Sequence, residues 1–333
     1  MNLNTTYLGL PLRSPLLVSA SPLSKTLDNL KQMEEAGAGA IVLFSLFEEQ
    51  LRGEQQRQSY AERHPQATAE DADALYAAQH SYYSRRLDDY LTHIQQAKAS
   101  VSIPIIASLN CTALGSWTDY AQRIEQAGAD ALELNIYYIP TNMDTSAEQV
   151  EDMYVRLLKA VKSALKIPVA IKLTPFVTNL AHVARRLDQA GANALVLFNR
   201  FYQPDLDPVT LKMRAEIPLG TPNDSRLPLH WIAILYGYLR ADLAASGGIY
   251  SAEDVVKMLM VGAKVTLLAS ALLQHGIGQL QVIERDLRQW MQANDYDSLA
   301  SLQGIVSQFR SKDPSAFERS EYIRALTSFR SLL

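Results

Sequence analysis

Three polar side chains lie where apolar runs of the sequence end, and their types suit the binding of a heterocycle. Lys172 interrupts the run AIKLTP. Because an ammonium group inside a buried strand is costly without a partner, we expect this cation to face a ligand. Asn135 and Asn199 end two further runs, and an amide both donates and accepts hydrogen bonds. Either asparagine alone could cap a turn, but with Lys172 they predict a site for a ligand with alternating carbonyl and N–H groups.

A pair of glycines in the last third of the chain indicates a phosphate site. The stretch SGGIYSAEDV (246–255) places Gly247 and Gly248 before a helix that begins after the cap residue Ser251. Glycines let backbone N–H groups approach a ligand closely, and the start of a helix attracts an anion. A phosphate could therefore be held without a charged side chain. The alternative is that the two glycines only make a tight turn.

The elements that must position these residues repeat along the chain. Four times a polar helical pattern turns at a glycine and continues as an apolar run of strand length, which is typical of a helix followed by a buried strand. These copies are EEAGAGAIVLFS (34–45), EQAGADALELN (125–135), DQAGANALVLFN (188–199) and MLMVGAKVTLLAS (258–270). Further strand-like runs occur at 15–21, 103–110, 167–175 and 242–248. Alternating strands and helices of this number and spacing predict a (β/α)8 TIM barrel, and a doubly wound sheet is the alternative.

Two segments exceed this minimal repeat. Residues 46–82 follow the second predicted strand and are strongly polar, whereas residues 200–227 follow the sixth. Both would emerge at the C-terminal face of the barrel, where catalytic loops and lids belong. A solvated insertion or a dimer contact is the other interpretation of the first segment. We therefore expect one domain over 1–333 with insertions near 46–82 and 200–227.

Composition excludes several classes of protein. The chain has 333 residues, is 48% hydrophobic and carries a formal net charge of -4, which argues against a nucleic acid or an anionic membrane as partner. Its only cysteine is Cys111, so neither an intramolecular disulfide nor a cysteine-based metal cluster is expected. No leader is recognisable, and no apolar run approaches the roughly 18 residues of a membrane helix. We expect a cytoplasmic protein.

The motifs together resemble the dihydroorotate dehydrogenase family, and the class 1 branch in particular. The resemblance covers nearly the whole chain in order, through NLNTTYLGLPLRSPLLVSAS, ELN, IKLTP, LVLFN, ASGGIYSAEDVVKMLMVGA and LLASALL. It implies an FMN-binding TIM barrel that transfers hydride between a dihydropyrimidine carbon and flavin N5, converting dihydroorotate to orotate in pyrimidine biosynthesis. It also implies a homodimer, and a separate electron acceptor or redox partner is an open possibility.

The resemblance also assigns roles to residues. The residues that it places around the flavin ring are Ala20, Ser21, Ser45, Asn135, Lys172 and Asn199. The residues that it places in the phosphate-binding turns are Gly247, Gly248, Ala269 and Ser270. Lys172 would stabilise negative charge at the N1 and O2 side of the reduced ring. Asn135 and Asn199 would bind the substrate, and no metal ion is implied.

The chain departs from the family on the substrate side. Where class 1 members have a loop cysteine that acts as general base, followed by Pro and Asn, this chain has Tyr138, Ile139 and Pro140. A family lysine beside the flavin is replaced by Phe44. An ordinary tyrosine titrates near about pH 10 and is a poor base at neutral pH, although it is a better proton donor. The flavin framework is therefore retained, while the loop that transfers the proton has been rebuilt.

Three functions remain open at this point. The first is oxidation of dihydroorotate or a related dihydropyrimidine, with Tyr138, Tyr137 or a lid residue in place of the usual base. The second is reduction of another small alkene or carbonyl compound, with Tyr138 as proton donor. The third is a flavin-binding electron-transfer subunit or pseudoenzyme that docks on a redox partner. Cys111, His64 and His80 are weaker candidates for the missing base.

Overall fold

Eight parallel strands close into a barrel in the computed structural model, which describes residues 1–47, 87–110, 117–214 and 217–328. The strands are, in order around the barrel, β3 (Leu16–Val18), β4 (Ala40–Phe47), β5 (Ile105–Asn110), β6 (Ala131–Asn135), β7 (Val169–Leu173), β8 (Ala194–Leu197), β11 (Asp242–Ser246) and β12 (Val265–Leu268). Strand β12 pairs with β3, so the sheet has no free edge. The predicted (β/α)8 barrel is confirmed.

Helices alternate with the barrel strands and cover the outside of the sheet. The helices are α1 (Leu27–Glu35), α2 (Leu87–Ser100), α3 (Trp117–Gln126), α4 (Ala147–Ala164), α5 (Leu180–Gln189), α6 (Arg226–Leu235), α7 (Ala252–Val261), α8 (Ser270–His275), α9 (Gln279–Ala293), α10 (Leu299–Leu302) and α11 (Arg319–Ser328). Sequence signals set their ends: the Asn179 side chain accepts a hydrogen bond from the His182 N–H at the start of α5. Gly191, with a φ of 97°, follows the end of the same helix.

The barrel interior is apolar at its N-terminal end and polar at its C-terminal end. Tyr7 and Leu12, from a hairpin of β1 (Thr5–Tyr7) and β2 (Leu10–Leu12), are buried in the same cluster as the inward side chains of the strands. The Leu8 N–H donates to the Asp242 carboxylate at 2.9 Å and ties the hairpin to the barrel. Because this plug fills one end, a ligand of the barrel must bind at the other.

A bulge in β4 decides which side chain of that strand faces the interior. The register between β4 and β5 shifts between Val42 and Ser45. Ser45 consequently points inward, where its hydroxyl lies 2.8 Å from the Ser108 hydroxyl. Phe44 points outward and packs edge to face against the Tyr90 ring at 5.2 Å. A bulge adds one residue to a strand, and so changes the alternation of inward and outward side chains.

The two predicted insertions differ in what the structure describes. The segment after β8 contains a hairpin of β9 (Asp205–Asp207) and β10 (Lys212–Arg214), followed by a short 3₁₀ helix over Pro222–Ser225. The segment at 46–82 lies outside the described residues from residue 48 onward. Among the helices of the described ranges, none has the length and apolar character needed to cross a membrane.

Candidate active site

Lys172 is the buried cation at the polar end of the barrel. It lies on β7 with only 6% of its surface exposed, and its Nζ atom is 3.1 Å from Ser19 Oγ. The carboxylate of Glu133, on the neighbouring strand β6, lies 3.6 Å from the same nitrogen. An ammonium group has three hydrogens to donate, and 3.6 Å is too long for a good hydrogen bond. The ion pair therefore offsets the positive charge of Lys172, while hydrogens of its ammonium group remain available to a ligand.

Glu133 was missed by the sequence reasoning, although a signal for it existed. It is 1% exposed, and its Oε1 atom accepts no hydrogen bond from the described residues. Glu133 and Asn135 are two residues apart on β6, so their side chains point to the same face, and Asn135 is in register with Lys172. Strand alternation, applied to the ELN motif, would have placed this carboxylate inside the barrel beside the lysine.

Asn135 and Asn199 come together across the ends of β6 and β8. The Asn199 side-chain amide donates to Asn135 Oδ1 at 2.7 Å. Each amide carries one NH₂ group and one oxygen, so the bond between the two leaves one NH₂ group and one oxygen for a ligand. The same two groups remain if Asn135 is the donor and Asn199 the acceptor. The two predicted substrate residues therefore form a single amide pair with one donor group and one acceptor.

The glycine turn after β11 packs closely against the segment that precedes α6. Gly247 and Gly248 have φ values of 106° and 70°, which favour glycine. A Cβ on Gly248 would lie 2.2 Å from the Ser225 backbone nitrogen, so a larger residue does not fit. The following helix begins with the capping box that the sequence predicts, in which Ser251 and Asp254 bond each other's backbone N–H groups.

Backbone N–H groups at this turn are available to an anion. Gly248 and Ile249 donate to no acceptor among the described residues, whereas the Tyr250 and Ser251 N–H groups both donate to Asp254. At the neighbouring turn after β12, the Ser270 hydroxyl accepts from the Gly220 N–H at 3.0 Å. The side chain of Ser270 is therefore engaged within the protein, whereas within the described ranges the Gly248 and Ile249 N–H groups remain free to bind an anion.

Ser21 is a buried hydroxyl next to these strand ends. It is 7% exposed, and its Oγ atom has no hydrogen-bond partner among the described residues. Buried hydroxyls normally have a partner, so an unsatisfied one indicates a group that binds there. Ala20, the residue before it, is only partly buried. The contact of Ala20 and Ser21 with a flavin stays a prediction.

The rebuilt loop after β6 joins two other loops through aromatic side chains. The Tyr137 hydroxyl accepts a hydrogen bond from the Tyr202 backbone N–H at 2.8 Å. The Tyr137 ring lies 6.1 Å from the Phe201 ring, which contacts Phe176 edge to face at 4.5 Å. We call Tyr137, Phe176 and Phe201 the aromatic cluster. Tyr138, the predicted proton carrier, is half-buried beside it, and its role stays a prediction.

Some candidates lie away from this site or outside the described residues. Phe44 faces the helices and so does not line the barrel interior, because the bulge in β4 turns it outward. Tyr90, the ring against which Phe44 packs, was not a candidate; its phenol bonds both backbone groups of Ser108, and burial raises its pKa, so it remains protonated at neutral pH. Cys111, His64 and His80 are outside the described residues.

The chain forms a closed (β/α)8 barrel, and polar side chains that can bind a ligand lie at the C-terminal ends of its strands. This is the arrangement of a TIM-barrel enzyme. A family model described as dihydroorotate dehydrogenase matches residues 2–291. The chain therefore belongs to the dihydroorotate dehydrogenase family, an oxidoreductase family. This confirms the resemblance that the motifs indicate.

Individual relatives agree with the family match. The chain is 24% identical over 313 residues to the dihydroorotate dehydrogenase B (NAD(+)) catalytic subunit of Thermoplasma volcanium, with 92% of this chain and 98% of the relative covered. It is 32% identical over 174 residues to the dihydroorotate dehydrogenase A (fumarate) of Lacticaseibacillus paracasei, with 51% and 60% covered. The names of these relatives differ in electron acceptor, so likeness to them does not select one.

Proposed function

We propose that this protein is an FMN-dependent oxidoreductase that transfers hydride between flavin and a CH–CH group of a dihydropyrimidine, with dihydroorotate as the first substrate to test. The observation that carries the proposal is Lys172, a buried ammonium with donor capacity to spare at the polar end of a barrel of this family. Oxidation of dihydroorotate would send a hydride to the flavin and a proton to a base, leaving the C=C bond of orotate.

The residues present fit FMN. Among the described residues the buried Ser21 hydroxyl has no hydrogen-bond partner, and the Gly248 and Ile249 N–H groups, where a phosphate would bind, donate to no acceptor. Ala20, Ser45 and Asn135 would line the ring, and Ala269 and Ser270 would complete the phosphate turns. FMN would supply the hydride-accepting centre. Lys172 would place its positive charge against the electron-rich side of the ring, and the whole chain would act as one FMN-binding barrel.

A second candidate is the reductive direction with a different small alkene or carbonyl compound. The observation that favours it is the pair of phenols, Tyr137 and Tyr138, in the loop where the family base is absent. A reduced alkene gains a hydride at one carbon and a proton at the other, and a phenol is better suited to give that proton than to remove one at neutral pH. In this reaction Tyr138 would be the proton donor.

The electron acceptor and the assembly remain part of the proposal. The relatives' names mention NAD(+) and fumarate, so a separate small or protein acceptor is compatible with this chain. Homodimer formation and a cytoplasmic location stay predictions.

The test begins with the visible spectrum of the purified protein. A flavin band that bleaches during anaerobic titration with dihydroorotate would support the first candidate. A band that stays oxidised with dihydroorotate, but returns from the reduced form when an alkene such as 2-cyclohexenone is added, would support the second. Absence of flavin, also after incubation with FMN, would contradict both.

A further inference from the structure

A cavity of about 310 Å³ lies at the N-terminal end of the barrel, and we call it the N-terminal cavity. Asp242 and Lys264, at the starts of β11 and β12, lie in its wall. Gly247 follows the other end of β11, roughly 16 Å away at the usual rise of a strand. Phe47 and Asn110, the last described residues before two breaks in the described ranges, also lie at the far strand ends. The N-terminal cavity is therefore separate from the proposed flavin site.

The opposite wall of the N-terminal cavity comes from the segment that follows the family match. The match ends at residue 291, whereas Gln303, Phe309 and Arg310 line the cavity. The N–H groups of Gly304 and Val306 donate at 2.9 Å to carbonyls near the end of α7. The Gln303 side chain donates to two further carbonyls just after the same helix. These bonds fix the wall to the barrel.

Two basic side chains in the N-terminal cavity have no ion-pair partner among the described residues. Arg240 lies 3.6 Å from Asp188 and is engaged, whereas Lys264 and Arg310 pair with no described carboxylate. Asp242 is the carboxylate among the described lining residues. The described lining is therefore positively charged overall, and two of its cations are available to an anion.

The number of free cations and the apolar part of the lining indicate the class of ligand. A phosphate monoester carries a charge of about −1.5 to −2 at neutral pH, which two cations balance, and a guanidinium group binds phosphate oxygens through paired hydrogen bonds. Leu235, Leu239 and Phe309 line the same cavity and offer apolar contacts. The Phe309 ring is held over Gly237, where a Cβ would lie only 2.6 Å from it. Pockets for small molecules begin at roughly 300 Å³.

We infer that the N-terminal cavity is a second ligand site, which binds a small phosphate monoester with an apolar or aromatic body. Lys264 and Arg310 bind the phosphate, and Phe309 contacts the body of the ligand. The inference does not depend on the proposed flavin-dependent function, because no residue of that site contributes to the cavity.

The test measures binding of phenyl phosphate to the purified full-length protein by calorimetry, in a low-salt buffer without phosphate. Inorganic phosphate and benzyl alcohol serve as probes of the anion alone and of the ring alone. We expect one site per chain. Phenyl phosphate should bind at least about threefold more tightly than inorganic phosphate because of the ring contact, and at least about tenfold more tightly than benzyl alcohol because of the charge. Salt should weaken this binding.

Variants identify the cations responsible. Lys264→Met and Arg310→Gln should each weaken phenyl phosphate binding at least about tenfold, the amount expected for one lost hydrogen bond between charged groups. Arg324→Gln is the matched control, since it removes the same charge from α11, where Arg324 pairs with Glu321 at 3.1 Å outside the cavity. It should leave the affinity unchanged. Circular dichroism confirms that each variant is folded.

A variant that gains affinity excludes misfolding as the explanation. Asp242→Asn removes the negative charge from the described lining and keeps an acceptor for the Leu8 N–H. It should therefore strengthen phenyl phosphate binding about threefold at pH 8, where the carboxylate is ionised. Unchanged or weaker binding would place the phosphate elsewhere and contradict the inference.

The remaining outcomes also decide the inference. No binding of phenyl phosphate, or equal affinity in the parent, Lys264→Met and Arg310→Gln, would overturn it. Inorganic phosphate that binds as tightly as phenyl phosphate would reduce the cavity to a general anion site, which also overturns it. Loss of binding in Gly248→Ala would place the probe at the proposed flavin turn instead. The visible spectrum with FMN tests the proposed function separately, so failure of one does not imply failure of the other.

Discussion

Replacing Lys172 by methionine tests the central ion pair of the site. The change keeps the length of the side chain but leaves the Glu133 carboxylate, which is 1% exposed, without its cation. At 3.6 Å and an effective dielectric constant of about 20, the lost attraction is about 5 kcal/mol. The cost to folding is smaller than this, because the carboxylate can take up a proton instead of remaining charged and unpaired.

The free energy of protonating the carboxylate sets an upper limit on the stability that the variant loses, and this limit depends on pH. Protonating a glutamate of ordinary pKa, about 4.3, costs about 3.7 kcal/mol at pH 7 and about 1 kcal/mol at pH 5. We therefore expect Lys172→Met to lower the free energy of unfolding by about 3 to 4 kcal/mol at pH 7 and by about 1 kcal/mol at pH 5. The variant should gain stability relative to the parent as the pH falls, because its folded state binds a proton that its unfolded state does not.

Urea unfolding at the two pH values, followed by circular dichroism, measures this difference. The double variant Lys172→Met, Glu133→Gln should recover most of the loss at pH 7, since no buried charge remains. Lys98→Met is the matched control, because Lys98 lies 2.7 Å from Asp130 in a pair that is about one-third exposed. It should cost only about 1 kcal/mol, with little dependence on pH. Equal losses for Lys172→Met at both pH values, or a double variant as unstable as the single one, would refute the reasoning.

The remaining predictions concern the loop, the glycine turn and the hairpin plug. Tyr138→Phe should keep the flavin content but slow proton-coupled turnover, measured in stopped-flow reduction and reoxidation. An unchanged rate would show that Tyr138 takes no part in proton transfer. Gly248→Ala should lower FMN affinity at least about tenfold in fluorescence titration, because its Cβ would meet the Ser225 nitrogen at 2.2 Å, and native affinity would contradict the assigned turn. Burial raises the pKa of Asp242 despite its hydrogen bond from the Leu8 N–H, so ionising this carboxylate costs stability as the pH rises through that pKa. Asp242→Asn, which keeps the acceptor, should therefore raise the melting temperature near pH 7 but not near pH 3, and a uniform change at both pH values would count against this account.

The sequence predicted several parts of the site because they depend on single strands. Lys172, Asn135 and Asn199 were recognised from apolar runs that end in polar residues, and the structure places all three at the C-terminal end of the barrel. The Ser251 cap was recognised from its spacing to Asp254, and the capping box is present. These signals are local, since the alternation of a strand and the cap of a helix involve residues within a few positions of one another.

Two features of the site were not predictable in this way. The bulge in β4 turns Phe44 outward and Ser45 inward. It is visible only in the pairing of β4 with β5, which joins positions more than sixty residues apart. The bond between the Tyr137 hydroxyl and the Tyr202 N–H spans a similar separation. Sequence reasoning named Tyr138 for chemistry, but it could not tell which of two adjacent phenols would engage the neighbouring loop.

The sequence by itself determined the class of fold and the positions of the reactive strand ends, because repeated helix–glycine–strand junctions leave few ways to bury so many apolar runs. The tertiary structure alone decided how those ends combine. Closure of the barrel places Glu133 beside Lys172, joins Asn135 to Asn199 and brings the rings of the aromatic cluster together. Charge balance and stacking depend on distances of a few ångströms between separate strands, and such distances exist only once the sheet has closed.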